Sequence, residues 1–203
     1  MASEKGLQEL LAMVDGASLD MDLLEQALNE SDAETRLAFV RALKPARQKK
    51  LFEAASGRKV TLDLIVPPGE GELVEVIHEG KNTLPAFTHF QKRFCRPSLD
   101  HDPEERTVLW GYNHLDVGAF TGPGYFVAYD DMEAGEVVID YRELPPEKPE
   151  AWPPIIGNNK KLGIFIYHGM IDRLRRVSDH VTIGRAFKRG KAMSAWFALV
   201  RQD

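Results

Sequence analysis

The chain has 203 residues, 43% of them hydrophobic, which is enough for one well-filled core and excludes a large multidomain assembly. Its formal net charge of -5 opposes nonspecific attraction to nucleic acid, and no stretch reaches the roughly 18 apolar residues that a membrane-spanning helix needs. The single cysteine, Cys95, cannot form an internal disulfide, and we find no secretory signal. We therefore expect a soluble, cytoplasmic protein that binds neither nucleic acid nor membrane.

Residues 1–56 are predicted to form a block of helices. Ser31 and Glu34 match a capping box, in which the two side chains satisfy backbone N–H groups at a helix start. Pro45 interrupts the helical pattern, and a further helix is expected to end at Gly57. Apolar side chains at helical spacing form the inward stripes of the first two helices, at Leu7, Leu10, Leu11, Val14, Met21, Leu24 and Leu28.

From residue 59 the apolar period changes to two, which predicts strands. The pattern predicts a hairpin whose first strand covers 59–66 and whose second includes 74–76, with two later helices, at 84–96 and 170–177. A proline-rich loop over 144–159 either covers a cavity mouth or crosses the surface. Further strands are expected at 106–115, 124–130, 136–142, 162–168, 180–187 and 192–201.

These elements predict an α+β fold. We expect a curved antiparallel β-sheet or partial barrel of about seven to eight strands, packed with helices. We expect a helical block over 1–56 and a β-rich region over 57–203 that together form one continuous structural unit.

Basic residues concentrate near the end of the chain, with seven Lys or Arg residues between positions 172 and 191. On the predicted helix, Asp172 is four residues from Arg176, and Arg175 is four residues from Asp179. Such pairs neutralise their charges locally and leave Arg173 unpaired. The surface is therefore either a docking site for an acidic partner or a set of solvated charges.

Arg185 conflicts with its surroundings in the sequence. Strict alternation places it on the same strand face as Val181, Ile183 and Phe187. An unpaired buried guanidinium is costly, so Arg185 is expected to meet a carboxylate, reach the rim or bind an anionic ligand. A bulge at Gly184 would instead send it to the other face.

A second strand projects an aromatic face that ends in His114. A cavity lining is one interpretation of this face, and ordinary β-sheet aromatics are the other. His114 beside Asp116 offers an imidazole for acid or base chemistry, or simply a histidine bonded to backbone. The candidate lining residues are Trp110, Tyr112, His114, Tyr125 and Tyr129.

Metal and cofactor motifs are absent from the sequence. The six histidines lack the spacing of HExxH, and the adjacent residues Asp100, His101 and Asp102 rarely face one ion. No GxSxG, GxGxxG or P-loop pattern occurs, so no cofactor is predicted.

Three functions fit these observations. The first is a small-molecule-binding protein whose aromatic-lined cavity takes a partly apolar, anionic or neutral ligand anchored by Arg185 or His114. The second is a small acid/base enzyme, a lyase, isomerase or hydrolase, that uses His114 in the same cavity. The third is a protein-interaction module that uses the basic C-terminal surface. Nothing in the sequence indicates an oligomeric state.

Overall fold

The computed structural model describes residues 4–85, 88–98, 107–115, 122–158 and 169–202. The helices of this part of the chain are α1 (Glu4–Asp15), α2 (Met21–Glu30), α3 (Ala33–Ala42), α4 (Pro45–Ala54) and α5 (Leu62–Ile65). The strands are β1 (Val76–Asn82), β2 (His89–Cys95), β3 (Leu109–His114), β4 (Tyr125–Asp131), β5 (Glu136–Asp140), β6 (Met170–Arg176), β7 (Val181–Lys188) and β8 (Lys191–Arg201). None of these helices has the length and apolar content that crossing a bilayer requires.

The N-terminal helices form where the apolar stripes predict them, but one cap differs. Asp32, rather than Ser31, precedes α3 and accepts a hydrogen bond of 2.7 Å from the backbone N–H of Thr35. Ser31 instead ends α2, where its hydroxyl donates to the carbonyl of Ala27. The predicted capping box is therefore wrong, because two adjacent cap-forming residues serve two different helices.

The eight strands form a closed antiparallel barrel in which each strand pairs with its neighbours in sequence and β8 returns to β1. The prediction of an α+β fold with a curved antiparallel sheet is confirmed, and closure removes the sheet edges. Connections therefore alternate between two ends. We call the end that holds the β1–β2, β3–β4 and β5–β6 connections the upper end, and the other the lower end.

Three predicted elements are wrong. Residues 62–65 form the short helix α5 instead of a strand, so the predicted hairpin is absent. Residues 89–95 and 170–176 are strands, although helices were predicted over both segments. The predicted strand at 162–168 lies outside the described residues.

The two misassigned strands share one property: each carries a charged side chain into the barrel. Lys92 lies between Phe90 and Phe94 on the inward face of β2, and Asp172 precedes Leu174 on that of β6. A charge at an inward position breaks the apolar alternation that identifies a strand. The remaining apolar residues then matched a helical spacing by coincidence.

Phenylalanine rings lie directly over glycines inside the barrel. Gly184 pairs with Phe197 across β7 and β8, and a Cβ atom added at Gly184 would lie 2.3 Å from the Phe197 ring. The same arrangement joins Gly111 to Phe126, where the distance would be 2.4 Å. Only glycine allows the rings to approach the neighbouring strand this closely.

Helix α5 packs against the lower end of the barrel. Its side chains Leu62 and Ile65 belong to the same apolar core as the barrel interior. The backbone N–H of Leu62 donates to the Asp130 carboxylate at 3.0 Å, and Nε2 of His78 lies 2.9 Å from the carbonyl of Ile65. The lower end is therefore filled by apolar side chains and held by polar contacts.

Two parts of the outer face of the barrel wall are covered. Helices α1–α4 pack on the outer face of β7 and β8 and share a core with Val181 and Ile183. A second outer core lies on β2–β4 beneath Trp152, which belongs to the segment 141–158. That segment contains no helix or strand, as the proline-rich sequence predicts.

Candidate functional site

A buried lysine lies at the centre of the candidate site. The side chain of Lys92 projects inward from β2 and is only 2% exposed. Its Nζ atom donates to Oδ1 of Asn113 at 3.0 Å, to Oδ2 of Asp172 at 3.1 Å and to the hydroxyl of Tyr141. Three acceptors match the three protons of an ammonium group.

Tyr141 links the other members of this group. Its hydroxyl donates to Oδ2 of Asp172 at 3.1 Å and accepts from Nδ2 of Asn113 at 3.0 Å. We refer to Lys92, Asn113, Tyr141 and Asp172 as the polar cluster. Its members come from β2, β3, the residue after β5, and β6, so only closure of the barrel brings them together.

Aromatic rings surround the Lys92 ammonium. The Nζ atom lies 4.9 Å from the ring centroid of Phe197 and 5.1 Å from that of Tyr141. The centroids of Phe126 and Phe90 lie at 5.3 and 5.6 Å. Ring faces attract a cation, and the attraction is larger where water is excluded. The rings therefore compensate part of the hydration that the ammonium has lost.

Burial shifts the protonation equilibria of the ion pair. Loss of water lowers the pKa of the Lys92 amine and raises the pKa of the Asp172 carboxyl. Their mutual attraction and hydrogen bond oppose both shifts, and the Tyr141 hydroxyl also lowers the pKa of Asp172. The pair is consequently closer to internal proton transfer than a solvated lysine and aspartate are.

The polar cluster lies toward the upper end, opposite α5. Asn113 is the second-last residue of β3, Tyr141 directly follows β5, and Asp172 is the third residue of β6. Asn158 fixes the backbone beside the cluster, because its amide donates to the carbonyls of Tyr141 and Tyr125 at 2.8 and 2.7 Å. One end of the barrel thus holds apolar packing and the other a hydrogen-bonded polar group.

The predicted aromatic face exists but lies on the outside of the barrel. Trp110, Tyr112 and Tyr125 pack in the outer core beneath Trp152, with Tyr129 at its margin. The ring centroids of Tyr112 and Trp152 are 4.9 Å apart, and the indole N–H of Trp152 donates to Glu75 at 2.6 Å. The expectation that this face lines the hollow of the sheet is therefore wrong. The opposite face of the same strands points inward.

Arg185 also projects outward, on the face that carries Val181 and Ile183. Its Nε atom donates to the carbonyl of Met193 at 2.8 Å, and its guanidinium lies 5.1 Å from the Trp196 ring. The register shift lies between Arg185 and Phe187, so Gly184 does not move Arg185 to the inner face. The predicted alternation is correct, but this face is the exterior of the barrel and gives Arg185 no access to a hollow.

His114 is half-buried at the end of β3, on the outer face with Tyr112, and the two rings meet edge to face at 6.2 Å. Its predicted partner Asp116 lies outside the described residues, as do Asp100, His101 and Asp102. Within the ranges that the structure describes, no group of three or more His, Cys, Asp or Glu side chains could hold a metal ion.

The arginines of the basic segment are paired differently from the prediction. Because 170–176 is a strand, Arg173 and Arg175 both project outward and bind Glu136, at 3.0 and 2.7 Å. Arg173, predicted to be unpaired, also binds Asp131 at 2.9 Å. Asp172 points inward and binds Lys92, so the predicted pair between Asp172 and Arg176 does not form. Much of the positive charge is therefore neutralised within the fold.

A surface groove of about 380 Å³ lies at the lower end, away from the polar cluster. Glu70, Glu75, Arg201 and Gln202 contribute polar atoms to its wall. Arg201 donates to the carbonyl of Leu64 in α5, so its charge is already used to hold the lower end.

Lys92, Asn113, Tyr141 and Asp172 were not recognised as site residues from the sequence. A signal was present, since Lys92 and Asp172 each interrupt a run that is otherwise compatible with a strand. Lys92 and Asp172 are 80 positions apart in the chain, so no local sequence pattern indicates that they pair.

Comparison of the chain with protein-family models, curated proteins and solved structures finds no significant match. No relative therefore supplies a function for the polar cluster.

Proposed function

We propose that the protein binds a small, partly apolar molecule at the upper end of the barrel, with the polar cluster as its anchor. The proposal keeps the small-molecule-binding function expected from the sequence and transfers the anchor from Arg185 or His114 to Lys92 and its partners. A cytoplasmic location remains part of it, consistent with a lone buried thiol at Cys95.

The observation that carries the proposal is the buried ion pair between Lys92 and Asp172 inside the barrel. Lys92 and Asp172 have side-chain exposures of 2% and 6%. Replacing such a pair by apolar residues of similar volume is often neutral or stabilising, because the desolvation cost rivals the attraction. Stability alone therefore gives little reason to keep these charges, whereas recognition of a polar ligand group does.

The contrast between the two barrel ends supports binding of the small molecule from the upper end. At the lower end, α5 fills the space with Leu62 and Ile65. At the upper end, the hydroxyl, amide, carboxylate and ammonium of the polar cluster converge on one point, with phenylalanine rings beside them. Convergent polar groups beside an apolar wall are typical of small-molecule sites.

Native mass spectrometry of the protein purified from its own host tests the proposal. We expect a small molecule to remain bound to the wild type and to be lost from a variant that combines Lys92→Met with Asp172→Leu. Replacing both charges leaves neither partner buried alone, so the variant is expected to fold. Lys49→Met, a change at an exposed position of α4, is the matched control. Retention of the molecule by the double variant would remove the cluster from the binding site.

An acid/base enzyme is the second candidate, favoured by the hydrogen-bonded chain from Lys92 through Tyr141 to Asp172. His114, the base predicted from the sequence, projects from the outer face, so the chemistry is transferred to the cluster. Conversion of the bound molecule by fresh protein, lost in Tyr141→Phe but not in His114→Gln, would support catalysis. Unchanged recovery of the molecule would leave binding as the function.

A further inference from the structure

We propose that Lys92 forms a Schiff base with an apolar aldehyde. This inference rests on the proposed function, because it requires the polar cluster to be the ligand-binding site. It adds the chemical class of the ligand and the type of bond, neither of which binding alone implies.

The first step is the release of the lysine proton to a group beside it. Oδ2 of Asp172 lies 3.1 Å from Nζ of Lys92, close enough to take the proton directly. Burial favours this transfer, since it lowers the pKa of the amine and raises the pKa of the carboxyl. The products are a neutral amine, which is the nucleophilic form, and a neutral carboxylic acid.

The second step uses the same proton again. The amine nitrogen attacks the aldehyde carbon, and the carbonyl oxygen takes a proton from nitrogen, which gives a neutral carbinolamine. The Asp172 carboxylic acid then protonates the departing hydroxyl group, which leaves as water. The result is a protonated imine at Lys92 beside an Asp172 carboxylate, so that every atom and charge is accounted for and no oxidant or reductant is needed.

The surrounding groups favour the imine over its hydrolysis. The Tyr141 hydroxyl and the Asn113 amide both contact Lys92 and can hold the departing oxygen through hydrogen bonds. Phe197, Phe126 and Phe90 supply the apolar surface that selects an apolar aldehyde and excludes water. The iminium cation would also retain the attraction of these rings.

The test uses the intact wild-type protein, benzaldehyde and sodium cyanoborohydride at pH 7, followed by peptide mapping. An ordinary lysine, with a pKa of about 10.4, is almost entirely protonated at this pH. We expect Lys92 to be benzylated at least tenfold faster than the exposed Lys49 in the same sample. Asp172→Asn, checked for folding by circular dichroism, removes the carboxylic acid that protonates the departing hydroxyl group. We expect this variant to reduce the Lys92 rate at least tenfold while leaving Lys49 unchanged.

A purely structural ion pair predicts the opposite result. Lys92 would then be benzylated more slowly than Lys49 in the folded protein and would become reactive only in urea, which would overturn the inference. The two proposals fail separately. A retained molecule that is lost in the double variant, without trapping at Lys92, contradicts the Schiff base and leaves binding intact.

Discussion

The helix-covered side of the barrel and the barrel interior both bury polar side chains. On the helical side, Arg36 donates to the carbonyl of Ser31 and Gln48 to that of Leu43, so each satisfies a backbone group at a helix end. In the interior, Lys92 and Asp172 are satisfied by each other and by neighbouring side chains. Helix ends leave carbonyl groups that need a donor, whereas a β-barrel needs no internal ion pair, and for this reason we place the candidate site in the interior.

We expect the largest effect from a substitution that removes only one member of the Lys92–Asp172 ion pair. Asp172→Ala leaves the Lys92 ammonium buried without its counter-charge, and we expect a loss of about 3–5 kcal/mol in the free energy of unfolding. Urea denaturation at pH 7 measures this loss. The variant with both Lys92→Met and Asp172→Leu is expected to recover most of it. Equal losses in the two variants would mean that the charges themselves stabilise the fold.

The next largest effect is a pH dependence of the free energy of unfolding, caused by a histidine in the barrel interior. Burial lowers the pKa of His78 to about 4, so the folded protein keeps this imidazole neutral while the unfolded chain takes up a proton below its usual pKa of 6.5. The contribution of His78 to the free energy of unfolding is therefore complete above pH 6.5. It decreases by about 3 kcal/mol as the pH falls toward 4. We expect His78→Gln to flatten the profile of unfolding free energy over this range. An unchanged slope would assign the dependence to other groups.

A smaller effect tests how tightly the interior is filled. Gly184→Ala places a methyl group against the Phe197 ring, which would have to move, and overpacking of this kind typically costs about 1–3 kcal/mol. Gly57→Ala is a useful comparison, because nothing lies near a Cβ at Gly57 and its cost comes only from the backbone φ of 79°. Thermal unfolding of both variants separates packing from backbone strain.

The smallest effect concerns the rim between the helices and the barrel. Glu25 contacts both Arg58 and Arg176, and all three side chains are partly exposed. Arg58→Met is expected to cost no more than about 1 kcal/mol, because exposed ion pairs contribute little. The cost should shrink in 1 M salt, where the screening length is about 3 Å. A salt-independent loss would indicate that packing of the arginine stem matters more than its charge.

The apolar patterns of the chain were sufficient to identify the helices α1–α4 and the strands β3, β4, β5, β7 and β8. They failed at β2 and β6 because Lys92 and Asp172 interrupt the alternation, and at α5 because an alternating run folded into one helical turn. Local patterns measure burial of apolar groups, so a strand that buries a charge does not match them. The errors in the predicted fold therefore include both strands that carry the ion pair.

The sequence by itself determined that the second half of the chain forms an antiparallel sheet and which side chains share a strand face. Only the tertiary structure decided which face is inside, because helices α1–α4 and the segment 141–158 bury parts of the outer face as thoroughly as closure buries the inner one. The structure places the Trp110 face and Arg185 on the outside of the barrel, although the sequence allowed both to line a cavity. The meeting of Lys92 with Asp172 likewise depends on closure, since it joins strands 80 residues apart in the chain.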